Sequence, residues 1–230
     1  LKEKKVSLSS DKSEKKNKKT IMKNILLLLS LLFSNIIFSQ SNKQIFSSPN
    51  LKEAVGIHKT VAVLPFKASI SYKQLPKNFN PETNKQEEKK LAQNLQIGIY
   101  TYLLRKSNDY SVVVQDIERT NILLKQNNMD DKLDEFTADQ LAKILGVDAV
   151  IKCSYAYEKT HSEASAILAD IFLWRGSVAS ATLTMGIYDG KDGTLLWRFT
   201  KEMNEHIEDS ANGIMESQMK KIGRNFPYVK

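Results

Sequence analysis

The sequence is poor in the residue types that carry chemistry. Its 230 residues hold one cysteine, Cys153, and three histidines, His58, His161 and His206. A single thiol excludes an intrachain disulfide. Cys153 sits in an apolar-alternating run, which predicts a buried and inert side chain. The histidines fall in a linker, a loop and a helix start, and none has the i,i+4 spacing of a helical metal site. There is no G-x-x-x-x-G-K-S/T phosphate loop, no G-x-G-x-x-G after a strand and no G-x-S-x-G nucleophile turn. In Asp189-Gly-Lys-Asp-Gly193, Lys191 stands where a calcium loop needs an oxygen ligand, so the segment reads as a hairpin turn with Gly190 and Gly193 tolerating positive φ. The pairs Glu87-Glu88 and Asp130-Asp131 are adjacent carboxylates, which diverge on a helix and read as solvated surface. No catalytic residue, cofactor or metal is expected, and the protein is not expected to be an enzyme.

Charge is also unevenly supplied. The formal net charge is +8, but nine lysines and three acids in residues 1–23 leave +6 there. Residues 40–230 carry 25 basic and 23 acidic residues, a net of only +2. The basic balance therefore belongs to the leading segment and is no argument for a nucleic-acid partner. Within that segment, Met22-Lys23 and the uncharged apolar stretch 25–38 predict a signal peptide over 22–39, cleaved near Ser39/Gln40. The stretch is short for a spanning helix, which needs about 20 apolar residues. Residues 1–21 are read as a non-native or disordered basic extension. The cleavage region has no acceptor cysteine, so an exported protein that is not a lipoprotein is expected, in the periplasm or at the outer membrane.

Residues 40–59 are polar and aperiodic and read as a linker, leaving 60–230 as one domain. Within it, 60–66 reads as a strand buried on both faces, ended by Pro65. Residues 67–85 read as a long loop. Leu91, Leu95, Ile99 and Leu103 predict a helix over 86–106. A strand follows at 110–115. Asp116 is placed to cap a helix over 117–126. Thr137 and Gln140 form a capping box for a third helix, and Gly146 suits its left-handed end. Ala149, Ile151, Cys153, Tyr155 and Tyr157 alternate along one strand, and Ala179, Ala181, Leu183, Met185 and Ile187 along another. Residues 194–200 return as a hairpin partner, and a last helix is expected over 206–222. This order predicts a single-domain α/β (α+β) fold, a mixed β-sheet covered by helices.

The insert 158–178 is the least ordinary feature. Ala164, Ile167, Leu168, Ile171 and Phe172 fall on one helical face that ends at Trp174-Arg175. The face either covers the sheet or meets a partner or membrane surface, with Ile167, Leu168, Ile171, Phe172 and Trp174 as the contact residues.

Four segments, TVAVLPF (60–66), SVVVQDIERTNILLKQ (111–126), TADQLAKILGVDAVIKCSY (137–155) and GIYDGKDGTLLWRF (186–199), together resemble the CsgG / TolB N-terminal / LpoB superfamily of bacterial envelope proteins. The resemblance implies an anticodon-binding-like, TolB N-terminal-like fold. It also implies a non-enzymatic role in secretion pores, translocation complexes or activation of cell-wall synthases. The expected function is an exported envelope protein that works by protein–protein contact with envelope partners. The alternative is a membrane-associated oligomer in a CsgG-like secretion or transport assembly.

Overall fold

The structure is a computed structural model, and it describes residues 43–159, 178–206, 211–223 and 225–230. Its elements in chain order are β1 (Lys43–Ser47), α1 (Leu51–Ile57), β2 (Thr60–Val63), β3 (Lys67–Tyr72) and α2 (Pro81–Arg105). These are followed by β4 (Val113–Val114), α3 (Ile117–Gln126), α4 (Ala138–Leu145), β5 (Ala149–Lys159), β6 (Val178–Asp189), β7 (Leu195–His206) and α5 (Ala211–Ile222). The seven strands form one mixed sheet in the order β1-β7-β6-β5-β2-β4, with β3 also paired to β5. β2 pairs in parallel with both β4 and β5, and β3 with β5, whereas the β5–β6, β6–β7 and β7–β1 pairs are antiparallel. The fold class is therefore the expected mixed α/β sheet with helical cover.

Alternation along the strands sorts the core into two faces. Val61 and Val63 join Ala149, Ile151, Cys153, Tyr155, Leu183, Met185, Trp197 and Phe199 on the first face, where Leu95, Ile99 and Leu103 of α2 and Met215, Met219 and Ile222 of α5 pack. Ala62, Leu64 and Val150 point the other way, against Leu124 of α3 and Leu141, Ala142 and Leu145 of α4. Full burial of a leucine such as Leu141 or Leu145 contributes about 1.5–3 kcal/mol each. On the first face, burial pushes the Cys153 thiol pKa far up, as expected of an inert core cysteine.

Local chemistry fixes the helix ends. Asp116 caps α3 through the Arg119 N–H at 3.0 Å. The Thr137–Gln140 capping box opens α4, and Gly146 closes it at φ 66°. Pro81 occupies the first turn of α2, behind an Asn80 cap that accepts from the Glu82 and Thr83 amides.

Several expectations need correction. The presumed linker 40–59 contains β1 and α1. β1 is an edge strand whose Ile45 and Phe46 stay exposed, and α1 buries only Ala54, so neither has strong apolar periodicity. The presumed loop 67–85 begins with β3, pairing in parallel with residues 154–159. Glu88 is not free surface: its carboxylate accepts the Ile70 N–H at 2.8 Å, while Asn84 donates to the Ile70 carbonyl at 3.1 Å. Side chains of α2 thereby satisfy the outward backbone groups of an edge strand. β7 extends to His206, where the last helix is expected to begin. The strand expected over 110–115 shrinks to Val113–Val114. At the β6–β7 hairpin only Gly193 has positive φ, 76°. Gly190 is needed for space instead: a Cβ there would lie 2.6 Å from the Asp148 carbonyl oxygen and 2.8 Å from the Ala142 Cβ.

Candidate functional site

The parallel trio β4-β2-β5 determines where a cleft can open. The chain after β2 and β3 sends α2 to the first face, and the chain after β4 sends α3 to the second. Helices that leave neighbouring parallel strands toward opposite faces part company at the strands' carboxyl ends, which leaves a crevice there. The crevice is present, with a volume of about 440 Å³. Gln93, Gln96, Ile97 and Tyr100 of α2 form one wall, and Asp116, Ile117, Glu118 and Asn121 form the other.

Its floor is a polar network with its bonds made. Buried Gln96 donates to the Val63 carbonyl at 3.0 Å, and its amide exchanges two 3.1 Å hydrogen bonds with the amide of Asn121. Nearby, buried Gln115 donates to the Leu145 carbonyl at 2.8 Å and accepts from the Thr120 hydroxyl at 2.9 Å. These pairs fix α2, α3 and the end of α4 on the ends of β2 and β4. A buried network of this kind gives a rigid floor only because every member is paired.

The rim mixes apolar and acidic groups. Ile97 is 45% exposed, and Tyr100 and Ile117 are half-buried beside it. Leu104, one turn beyond Tyr100 on the same helical face, is 47% exposed. The Tyr100 hydroxyl donates to Asp116 at 3.1 Å. The Arg119 amide and this hydroxyl hold the Asp116 carboxyl below the usual aspartate range. The Tyr100 phenol is pushed upward, by burial first and then by its bond to Asp116. The cleft can seat an apolar side chain between two helices under a carboxylate rim, and it offers no nucleophile–base pair.

The contact residues expected from sequence, Ile167, Leu168, Ile171, Phe172 and Trp174, lie outside the described residues, as does His161. Glu158 and Ser180 pair across β5 and β6. His206 ends β7, and His58 is buried. Among the described residues, no three His, Cys, Asp or Glu side chains converge where a metal could sit. Among them also, no helix is long and apolar enough to cross a membrane. Sequence reasoning missed the α2–α3 cleft. The available signal was Ile97, an apolar residue off the Leu91-Leu95-Ile99-Leu103 stripe of its own helix.

By sequence the chain matches no protein-family profile and no curated protein. Several solved structures resemble it in fold. One is the lipoprotein GNA1162 from Neisseria meningitidis, at 15% identity and TM-score 0.44, over 73% of this chain and 97% of that one. Another is the LpoB C-terminal domain from Salmonella enterica, at 10% identity and TM-score 0.33, over 67% and 96%. A third is the PelC dodecamer from Paraburkholderia phytofirmans, at 15% identity and TM-score 0.34, over 82% and 98%. At such identities and scores none of these likenesses fixes a residue's role in this chain.

Proposed function

We propose that this chain is an exported, non-enzymatic protein of the bacterial cell envelope that acts by protein–protein contact, with the α2–α3 cleft as a contact surface. The observation that carries the contact surface is exposed Ile97 beside half-buried Tyr100 and Ile117, around a rigid, fully paired polar floor. An apolar anchor seated in a preformed pocket is how protein interfaces concentrate binding energy. The carboxylates of Asp116 and Glu118 on the rim favour a partner that surrounds its apolar anchor with basic groups. Export rests on the signal-peptide pattern of residues 22–39, and the envelope assignment on the sequence resemblance to the CsgG / TolB N-terminal / LpoB superfamily. Ile167, Leu168, Ile171, Phe172 and Trp174 are proposed as a second contact surface on the strength of their helical spacing.

The test is affinity capture of the tagged full chain from cell envelopes with quantitative identification of what is bound. Ile97→Asp is compared with Leu75→Asp, which places the same charge at an exposed leucine that does not line the cleft. The expected result is a bound protein lost with Ile97→Asp and kept with Leu75→Asp. Equal capture by wild type and both variants would remove the cleft from the proposal. Fractionation that leaves the uncleaved chain in the cytoplasm would remove export.

A further inference from the structure

The junction between α1 and β2 holds a buried histidine in an unusual setting. His58 is 6% exposed, and its Nδ1 lies 2.8 Å from the hydroxyl of Tyr228, 170 residues away in sequence. Its Nε2 has no hydrogen-bond partner and faces Asp189 Oδ2 at 3.9 Å. The neutral ring has one proton to place. With the proton on Nδ1, the bare Nε2 lone pair would face a carboxylate. With the proton on Nε2, that N–H faces the carboxylate and Nδ1 accepts from the tyrosine hydroxyl. The geometry selects the second tautomer.

Tyr228 belongs to the C-terminal segment 225–230, which buries Phe226 and Tyr228 in the first-face core and bridges Tyr110 through Val229. Its carbonyl accepts the Ser111 amide at 2.8 Å, and the Lys230 amide donates to the Asp109 carbonyl at 2.9 Å. Phe226 packs edge-on against Tyr110 and Trp197. The His58–Tyr228 bond joins this segment to the chain just before β2.

We propose that His58 is an acid-sensitive latch for the C-terminal segment, closed when the neutral ring accepts the Tyr228 hydroxyl and opened when the ring takes up a proton. Protonation puts hydrogen on both ring nitrogens. Nδ1 can then only donate to the phenol oxygen, and the fully buried Tyr228 hydroxyl loses the acceptor for its own proton, a buried donor left unpaired. The imidazolium is drawn the other way, toward Asp189 at the end of β6 and Asp148 ahead of β5. Asp148 Oδ2 already accepts the Lys59 and Thr60 amides, and the Lys59 charge acts on it as well, so Asp189 Oδ2 is the nearer and freer acceptor. Burial lowers the His58 pKa and the two carboxylates oppose it, so the ring is neutral at neutral pH and charges on acidification.

Nuclear magnetic resonance of the full chain tests this. At neutral pH the imidazole nitrogens should report a proton on Nε2 and a lone pair on Nδ1, and a proton on Nδ1 would overturn the proposal. Amide-exchange protection at Ser111 and Lys230 should fall on the order of tenfold as His58 takes up its proton, at a pH below the ordinary histidine value of 6.5, while protection in the β5–β6 ladder holds. Protection at Ser111 and Lys230 that does not change with pH would overturn it. Tyr228→Phe removes only the hydroxyl, and in that variant the two amides should be less protected at neutral pH and show no acid-dependent fall. The wild-type fall persisting in Tyr228→Phe would assign it to another group. If that variant does not fold, the wild-type titration and tautomer decide alone.

Discussion

Gly190→Ala is the sharpest test of the packing between the β6–β7 hairpin and the α4–β5 junction. Gly190 adopts no positive φ, so backbone strain does not require glycine there. Space does. An alanine Cβ would come within 2.6 Å of the Asp148 carbonyl oxygen, 2.9 Å of its carbon and 2.8 Å of the Ala142 Cβ. The nearest of these atoms are backbone, and no flexible side-chain end can give way. Relief requires the hairpin to withdraw, which also stretches the Gly190 N–H to Asp148 carbonyl bond of 2.8 Å. Overpacking of this kind costs about 1–3 kcal/mol, and loss of the hydrogen bond adds about 0.5–1.5 kcal/mol. A total near 2–3 kcal/mol lowers the melting temperature of a domain this size by about 4–12 °C. Urea and thermal unfolding followed by circular dichroism measure it. A Gly190→Ala variant within about 0.5 kcal/mol of wild type would refute the reasoning, because ordinary surface substitutions fall in that range.

Three other outcomes follow from the same structure. Glu88→Ala strands the outward Ile70 N–H of β3 and should cost about 1–2 kcal/mol in urea unfolding, with faster aggregation as the strand edge opens. Cys153 should resist a thiol reagent in the native state and react on unfolding, since it is buried in the first-face core. Asp148 should contribute to acid sensitivity: burial alone would raise its pKa, but the Thr60 and Lys59 amides and the nearby charges of His58 and Lys59 bring it below 3.8. A depressed carboxyl stabilises the fold above its unfolded pKa and loses that contribution as pH falls through the folded one, so Asp148→Asn should flatten the stability curve below about pH 4.

What the sequence made legible was local or periodic. The Asp116 cap, the Thr137–Gln140 box and the Gly146 end each satisfy free backbone groups within a few residues, so their pattern is written in adjacent positions. Burial alternates from Ile151 to Tyr155 in β5 and from Ala181 to Met185 in β6, because only one side of each is dry there. β3 carries the same period in Ala68, Ile70 and Tyr72, but flanking lysines and the prolines that follow conceal it in a loop-like composition. The cleft was out of reach for a different reason. Gln96 and Asn121 look like ordinary surface amides, 25 residues apart, until the crossover from β2 to β4 sets them face to face. His58 looks like a linker residue because its partners, Tyr228 and Asp189, come from the far end of the chain.

The central claim is that the α2–α3 cleft receives a partner. A photo-crosslinking residue placed at Ile97, at Ile117 and, as control, at Leu75 of the full chain in intact cells tests it directly. One shared adduct is expected at Ile97 and Ile117, and it is missing at Leu75. Adducts absent from both cleft positions, or the same adducts at all three, would contradict the claim.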